Sequence, residues 1–188
     1  IRNRVIAVSA CYAGGWIDNV IMRLVDALLA LPFLVLAIAL AAILGPSLQN
    51  TMIAIAIVSA PAFARVTRGE VLAQREREYV QAAQALGARD GRLILRHLLP
   101  NISGALTVQT SLAVATAILA ESSLSFLGLG VQPPQPSWGS MLNAARGYLA
   151  EAPWMAVFPG AAIFLAVLAF NLVGDGLREA LDPRGRDA

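Results

Sequence analysis

Residues 27–64 form a run of 38 consecutive positions without a charged side chain, broken only by the polar stretch Gly45-Pro46-Ser47-Leu48-Gln49-Asn50. A helix needs about 20 apolar residues to cross the hydrocarbon core of a bilayer. The run therefore accommodates two membrane-spanning helices joined by a tight turn. Seven arginines follow between Arg65 and Arg96, in a segment too polar to enter lipid. The chain reads as an all-α, polytopic membrane helix bundle, with its working surface in that basic segment.

Composition supports this reading. Apolar residues make up 57% and charged residues 14% of the chain, and the mean hydropathy is +0.66. Ordinary globular proteins carry about 25% charged residues. All fourteen basic residues are arginine. A Walker A loop needs a lysine to reach the β- and γ-phosphates, so any ATP-driven work must come from a partner chain. Cys11 is the only cysteine and His97 the only histidine, which excludes an internal disulfide and a Cys/His zinc site. No cofactor or metal is expected. The basic pI of about 9.2 reflects arginines beside the spans, as membrane anchoring requires, and does not point to nucleic acid.

Five spans are expected over one domain, 1–188: a partial one at 5–13, then 24–44, 50–64, 102–120 and 154–173. Tyr12 and Trp16 suit an interface, and Asp18, Arg23 and Asp26 punctuate a short polar connection. Pro32 is expected to kink the 24–44 span, Pro61 to bend the next, and Pro159 to kink or start the last. Segment 65–100 is a polar excursion and 121–153 an outer loop. The 128–139 stretch, dense in Gly and Pro, reads as an ordered loop. Arginines are concentrated in 65–100 and in the tail, whereas 121–153 holds only Arg146. The basic segment and the C-terminus are therefore expected on the cytosolic side. Two spans between them satisfy the parity this requires.

Within the basic segment, residues 80–86 are good helix formers and Gly87 can end the helix in the left-handed conformation. Asp90 is expected to cap a second helix, 91–99, that Pro100 closes. A small-faced helix pushed out of the membrane suits a groove on another protein. The alternative is a helix resting on lipid, with Arg89, Arg92 and Arg96 on anionic headgroups.

Gln81-Ala82-Ala83-x3-Gly87-x9-His97-Leu98-Leu99-Pro100 resembles the EAA loop of ABC-importer permeases, Glu-Ala-Ala-x3-Gly-x9-Ile-x-Leu-Pro. These permeases are the inner-membrane components of binding-protein-dependent transport. Arg96-His-Leu-Leu-Pro-Asn101, Ala120-Glu-Ser-Ser-Leu-Ser-Phe-Leu-Gly-Leu-Gly-Val-Gln-Pro-Pro134, Pro136-Ser-Trp-Gly-Ser-Met-Leu142 and Phe170-Asn-Leu-Val-Gly-Asp-Gly-Leu-Arg178 are similar to the C-type permease of its dipeptide/oligopeptide/nickel branch. The resemblance covers the chain from about Ala13. It implies six spans. With Ile1 in place of Met, the chain is expected to be an N-terminally truncated fragment.

The resemblance further implies a multi-pass subunit of the cytoplasmic membrane that performs no bond chemistry and imports peptides, nickel or other small solutes. Its implied partners are ATPase subunits, a second and different permease, and an extracytoplasmic binding protein. Ala82, Ala83 and Gly87 would form the coupling helix, with Tyr79, Gln81, Leu86 and Ala88 beside them. Two departures stand out: Gln81 replaces the motif's Glu and loses its charge, and His97 replaces its Ile and is expected on the buried side of a helix. Asp26 is expected to pair with Arg23, one turn away, while Arg65 and Arg68 anchor the helix end at headgroups. Glu121 is expected either to face the translocation path or to be solvated. No substrate-binding residue is assigned.

Two rivals make other demands. An ion-gradient transporter needs acidic groups at mid-membrane, and an intramembrane enzyme needs convergent His, Asp, Ser or Cys groups. The central thirds of the spans offer mostly Leu, Ala and Ile.

Overall fold

A computed structural model describes residues 16–181. The expected partial span 5–13, Tyr12, Cys11 and the end of the tail lie outside the described residues. Every regular element within them is helical: α1 (Trp16–Leu29), α2 (Phe33–Leu44), α3 (Leu48–Arg75), α4 (Glu78–Ala85), α5 (Asp90–Phe126), α6 (Trp138–Ala145) and α7 (Trp154–Leu181). A 3-10 turn, Arg146–Tyr148, follows α6. Helices α3, α5 and α7 are each long and apolar enough to cross a membrane. The pair α1 and α2 also qualifies if counted as one broken span. At 1.5 Å per residue, the uncharged start of α3, residues 48–64, extends about 25 Å, close to the thickness of a hydrocarbon core.

Several helices differ in extent from the sequence expectation. The 24–44 span is two helices. Pro32 lacks an N–H and disfavours helix at the residue before it, so α1 stops at Leu29 and Pro32 becomes the N-cap of α2. The expected polar connection around Asp18 is part of α1 rather than a loop. Helix α3 runs on to Arg75, eleven residues past Ala64, the continuation beyond Arg65 that the shortness of the 50–64 span left open, because nothing between them breaks a helix. Pro61 and Pro159 both lie inside helices, and α7 starts at Trp154. Helix α5 continues to Phe126, into the segment expected as outer loop.

The chain divides into two compact units. One consists of Leu31–Ser59 and Thr110–Asp175. Its core sets Ala37 and Ala41 of α2 against Ala54, Ile55 and Val58 of α3 and Ala120 and Leu124 of α5. Alanines at these contacts let helix backbones approach closely, which is how helices associate where lipid removes the hydrophobic drive. The turn from α2 to α3 is tied by its own side chains. Ser47 Oγ accepts from the Asn50 N–H at 3.1 Å, as an N-cap does. Asn50 Nδ2 donates to the carbonyls of Leu44 and Gly45 at the end of α2.

The same unit holds a tightly folded loop after α5. Gly128, at φ +81°, ends the helix, and the Leu129 N–H reaches back to the Leu124 carbonyl. The Leu129 carbonyl accepts from Thr51 Oγ1. Ser137 and Ser140 exchange backbone and side-chain hydrogen bonds as a capping box that starts α6. The expected loop at 128–139 thus gives way to helix at Trp138.

The other unit comprises 16–30, 60–109 and 176–181 of the described residues. Its core joins Val71 of α3, Val80 of α4 and Leu93, Ile94, Leu98, Ile102 and Leu106 of α5. It contains the EAA-like segment.

Candidate functional site

Helix α4 is eight residues long, too short to persist alone in water. Packing holds it. Val80 is fully buried against Val71, Leu93, Ile94 and Leu98, and Ala83 and Ala88 pack on the same cluster. Val80 is absent from the residues that the motif singles out. The available signal is that, apart from Leu86, it is the only aliphatic side chain larger than alanine between Tyr79 and Leu86.

The end of α4 is fixed by backbone geometry. Gly87 sits at φ +79°, where a glycine pays no Cβ penalty. The Gly87 N–H donates to the Gln84 carbonyl at 2.9 Å and the Ala88 N–H to the Ala83 carbonyl at 3.0 Å. These are the two bonds of a Schellman motif, and the Ala83 and Ala88 side chains both pack on the cluster around Val80. Glycine is required here for conformation, since nothing lies within 4 Å of an added Cβ.

This geometry separates the seven expected coupling residues. Gln81, Ala82, Leu86 and Gly87 are exposed, and Leu86 is 88% exposed at the tip of the turn. Ala83 and Ala88 are partly buried and form the base of α4. Tyr79 is on the edge: its hydroxyl donates to Gln74 Oε1 at 2.8 Å, and its ring lies 6.4 Å from that of His97. Gln81 Nε2 donates to the Glu76 carbonyl at 3.2 Å. The amide thus braces the turn before α4, using a donor that the motif's glutamate lacks.

The second helix departs from expectation at both ends. Arg89, not Asp90, is the N-cap, and Asp90 is the first helical residue, where its charge favours the helix dipole. Pro100 does not close the helix. Leu93–Leu98 widens into a π-turn, and the Leu99 N–H donates to the Ile94 carbonyl. A π-turn changes the hydrogen-bond register next to a ring that would clash with the carbonyl four residues back. Asn101 Nδ2 donates to the His97 carbonyl at 2.6 Å. His97 is half-buried rather than buried, because its ring lies towards Tyr79 at the edge of α4.

Gly87, Arg89, Gly91 and Arg92 line an open cleft of about 440 Å³ beside the Schellman turn. Elsewhere in this unit, Asp26 pairs with Arg65 at 2.6 Å, not with Arg23. The longer reach comes from α3, which continues past Ala64 and brings Arg65 to α1. Among the described residues no cluster of His, Cys, Asp or Glu could hold a metal ion. Taken together, the site can present a short, rigid, apolar-tipped helix with two guanidinium groups beside it, and it assembles no set of reactive groups.

A family model described as "Binding-protein-dependent transport system inner membrane component" matches residues 5–187. The chain is 53% identical over 175 residues to the dipeptide transport system permease protein DppC of Alkalihalophilus pseudofirmus, a match covering 93% of this chain and 58% of the relative. It is 51% identical over 173 residues to the glutathione transport system permease protein GsiD of Escherichia coli O6:K15:H31, covering 92% and 57%. A glutathione permease protein of Pectobacterium atrosepticum is 50% identical over 175 residues. The chain thus spans less than three fifths of the length of these relatives.

Proposed function

Because the chain belongs to the family of binding-protein-dependent transport system inner membrane components, we propose that it works as one permease subunit of an ATP-driven importer of small peptides. Relatives at half identity carry dipeptide and glutathione in their names, and both cargoes are peptides.

In this reading α4 hangs on the cytosolic side, where the arginines of 65–100 and the tail place it, and the C-terminus shares that side. ATPase subunits supply the nucleotide chemistry that a chain without lysine cannot. They receive the exposed Leu86, with Ala82 and Gln81 beside it, in a groove, as an amphipathic helix is received. Force applied there passes into α3 and α5 through Val80, because close-packed apolar contacts transmit displacement. A second permease completes the pathway and an external binding protein delivers cargo.

The observation that carries the reading is the two-sided character of α4 and its cap: a buried Val80 and a partly buried Ala83 beneath a nearly fully exposed Leu86. The test is disulfide trapping in the full complex. With Cys11 replaced by serine and cysteine placed at Leu86, a cross-link to the ATPase is expected. If no position from Ala82 to Ala88 traps in an otherwise assembled complex, the coupling assignment is wrong.

A further inference from the structure

A second concave site lies far along the sequence from α4. Leu48, Glu121, Val131, Pro136, Trp138 and Met141 line a cleft of about 460 Å³. That volume is in the range of small-ligand sites, which are mostly apolar with a few placed polar groups. Its polar groups are the Glu121 carboxylate and Ser137, whose hydroxyl is engaged by the Ser140 N–H in the capping box, so the carboxylate is the one charged group of the lining.

Its placement is constructed. The Ser125 hydroxyl donates to Glu121 Oε1 at 2.6 Å, and Ser125 Oγ accepts from the Val131 N–H at 3.2 Å. Helix α5 and the loop beyond it are thereby joined through one buried serine. Two glycines allow the closeness. An added Cβ at Gly130 would lie 1.9 Å from Ser125 Oγ, and one at Gly139 would lie 2.2 Å from the Ser122 carbonyl oxygen. The walls of the cleft are therefore fixed against the helix that carries the carboxylate.

Glu121 has no cationic partner among the described residues. Arg146, the only arginine of 121–153, instead stacks over the Phe126 ring at 5.6 Å. A carboxylate without a cationic partner in a mostly apolar cleft favours a cation, and the indole of Trp138 in the same wall adds an aromatic face that attracts one.

We infer that this cleft is a subsite for a primary ammonium group of the cargo, held by Glu121 with the apolar body of the ligand against Val131, Pro136 and Trp138. The inference rests on the importer reading and assigns that pathway its amine-recognising residue. A protein partner would favour a broader, flatter face.

The test titrates alanyl-alanine and N-acetyl-alanyl-alanine against the full permease–ATPase complex in nanodiscs, without binding protein, by saturation-transfer NMR. The wild-type complex should prefer the free amine by about tenfold, the scale of one charge-assisted hydrogen bond. Glu121→Gln, which keeps the volume and the acceptor for Ser125, should abolish the preference and leave the acetylated peptide unchanged. Glu121→Asp should retain part of it. Equal binding of both peptides by the wild type, or equal loss of both in Glu121→Gln, overturns the subsite. So does an intact preference in Glu121→Gln accompanied by loss of binding-protein-stimulated ATP hydrolysis, which would make Glu121 a protein-docking contact. That stimulation, measured in the wild type, tests the importer reading separately: its absence defeats the importer whatever the amine preference.

Discussion

The Ala88 N–H donates to the Ala83 carbonyl at 3.0 Å while both alanine side chains pack on the cluster around Val80. Two of the seven residues expected as coupling surface thus form the internal brace of the turn. The exposed contact falls to their neighbours Ala82 and Leu86.

Exchange of alanine for leucine on the two sides of α4 should therefore separate stability from coupling. Ala83→Leu overfills a packed base and should destabilise the segment by about 1–3 kcal/mol. Ala82→Leu should leave thermal stability within about 0.5 kcal/mol of wild type and reduce co-purification of the ATPase. Thermal unfolding in detergent and pull-down of the complex measure the two effects. Equal thermal loss for both would contradict the assigned faces.

Gly87 should tolerate substitution according to conformation rather than size, since space around it is open. A left-handed L-residue costs about 1–2 kcal/mol, and asparagine less than most. Coupled ATP hydrolysis should fall in the order Gly87→Asn, Gly87→Ala, Gly87→Val, with the valine variant weakest. An alanine variant as active as wild type would show that the Schellman turn is dispensable.

Gly130 and Gly139 should behave in the opposite way, limited by space. The nearest atom to an added Cβ is the Ser125 hydroxyl at Gly130, with Ser125 Cα behind it at 2.8 Å, and the Ser122 carbonyl oxygen at Gly139. Forced overpacking costs about 1–3 kcal/mol, and the Gly139 variant should be the worse because its closest clash is with backbone, which cannot rotate away as a hydroxyl can. Limited proteolysis between Leu127 and Trp138, compared with wild type, reports displacement of the loop.

Asp26 and Arg65 form an ion pair with both side chains more than half exposed. A double-mutant cycle with Asp26→Asn and Arg65→Gln should give a coupling of about 0.2–1 kcal/mol that shrinks at high salt. A coupling unchanged by salt would mean that the pair is shielded from solvent in the assembled protein.

The all-α class and the position of the EAA-like segment were legible in the chain because both are local. Lipid demands long uncharged stretches whatever the partners, and Gly87 and the helix formers before it act within one or two turns. Helix ends were less legible. Pro32 ends helical structure, whereas Pro61, Pro100 and Pro159 lie inside helices. A proline's effect depends on whether the local register can absorb its missing N–H and its ring, as the π-turn at Leu93–Leu98 does before Pro100.

What the amino-acid order determined alone was a helical membrane chain with a basic segment and a glycine-ended helix inside it, since hydropathy and backbone preference need no distant contact. Tertiary structure decided which side of that helix is available, that Asp26 takes Arg65 rather than Arg23, and that Glu121 of α5 shares a cleft with Val131 and Trp138. Each of these depends on side chains brought together from different elements. A helix repeat by itself leaves open which neighbour covers which face.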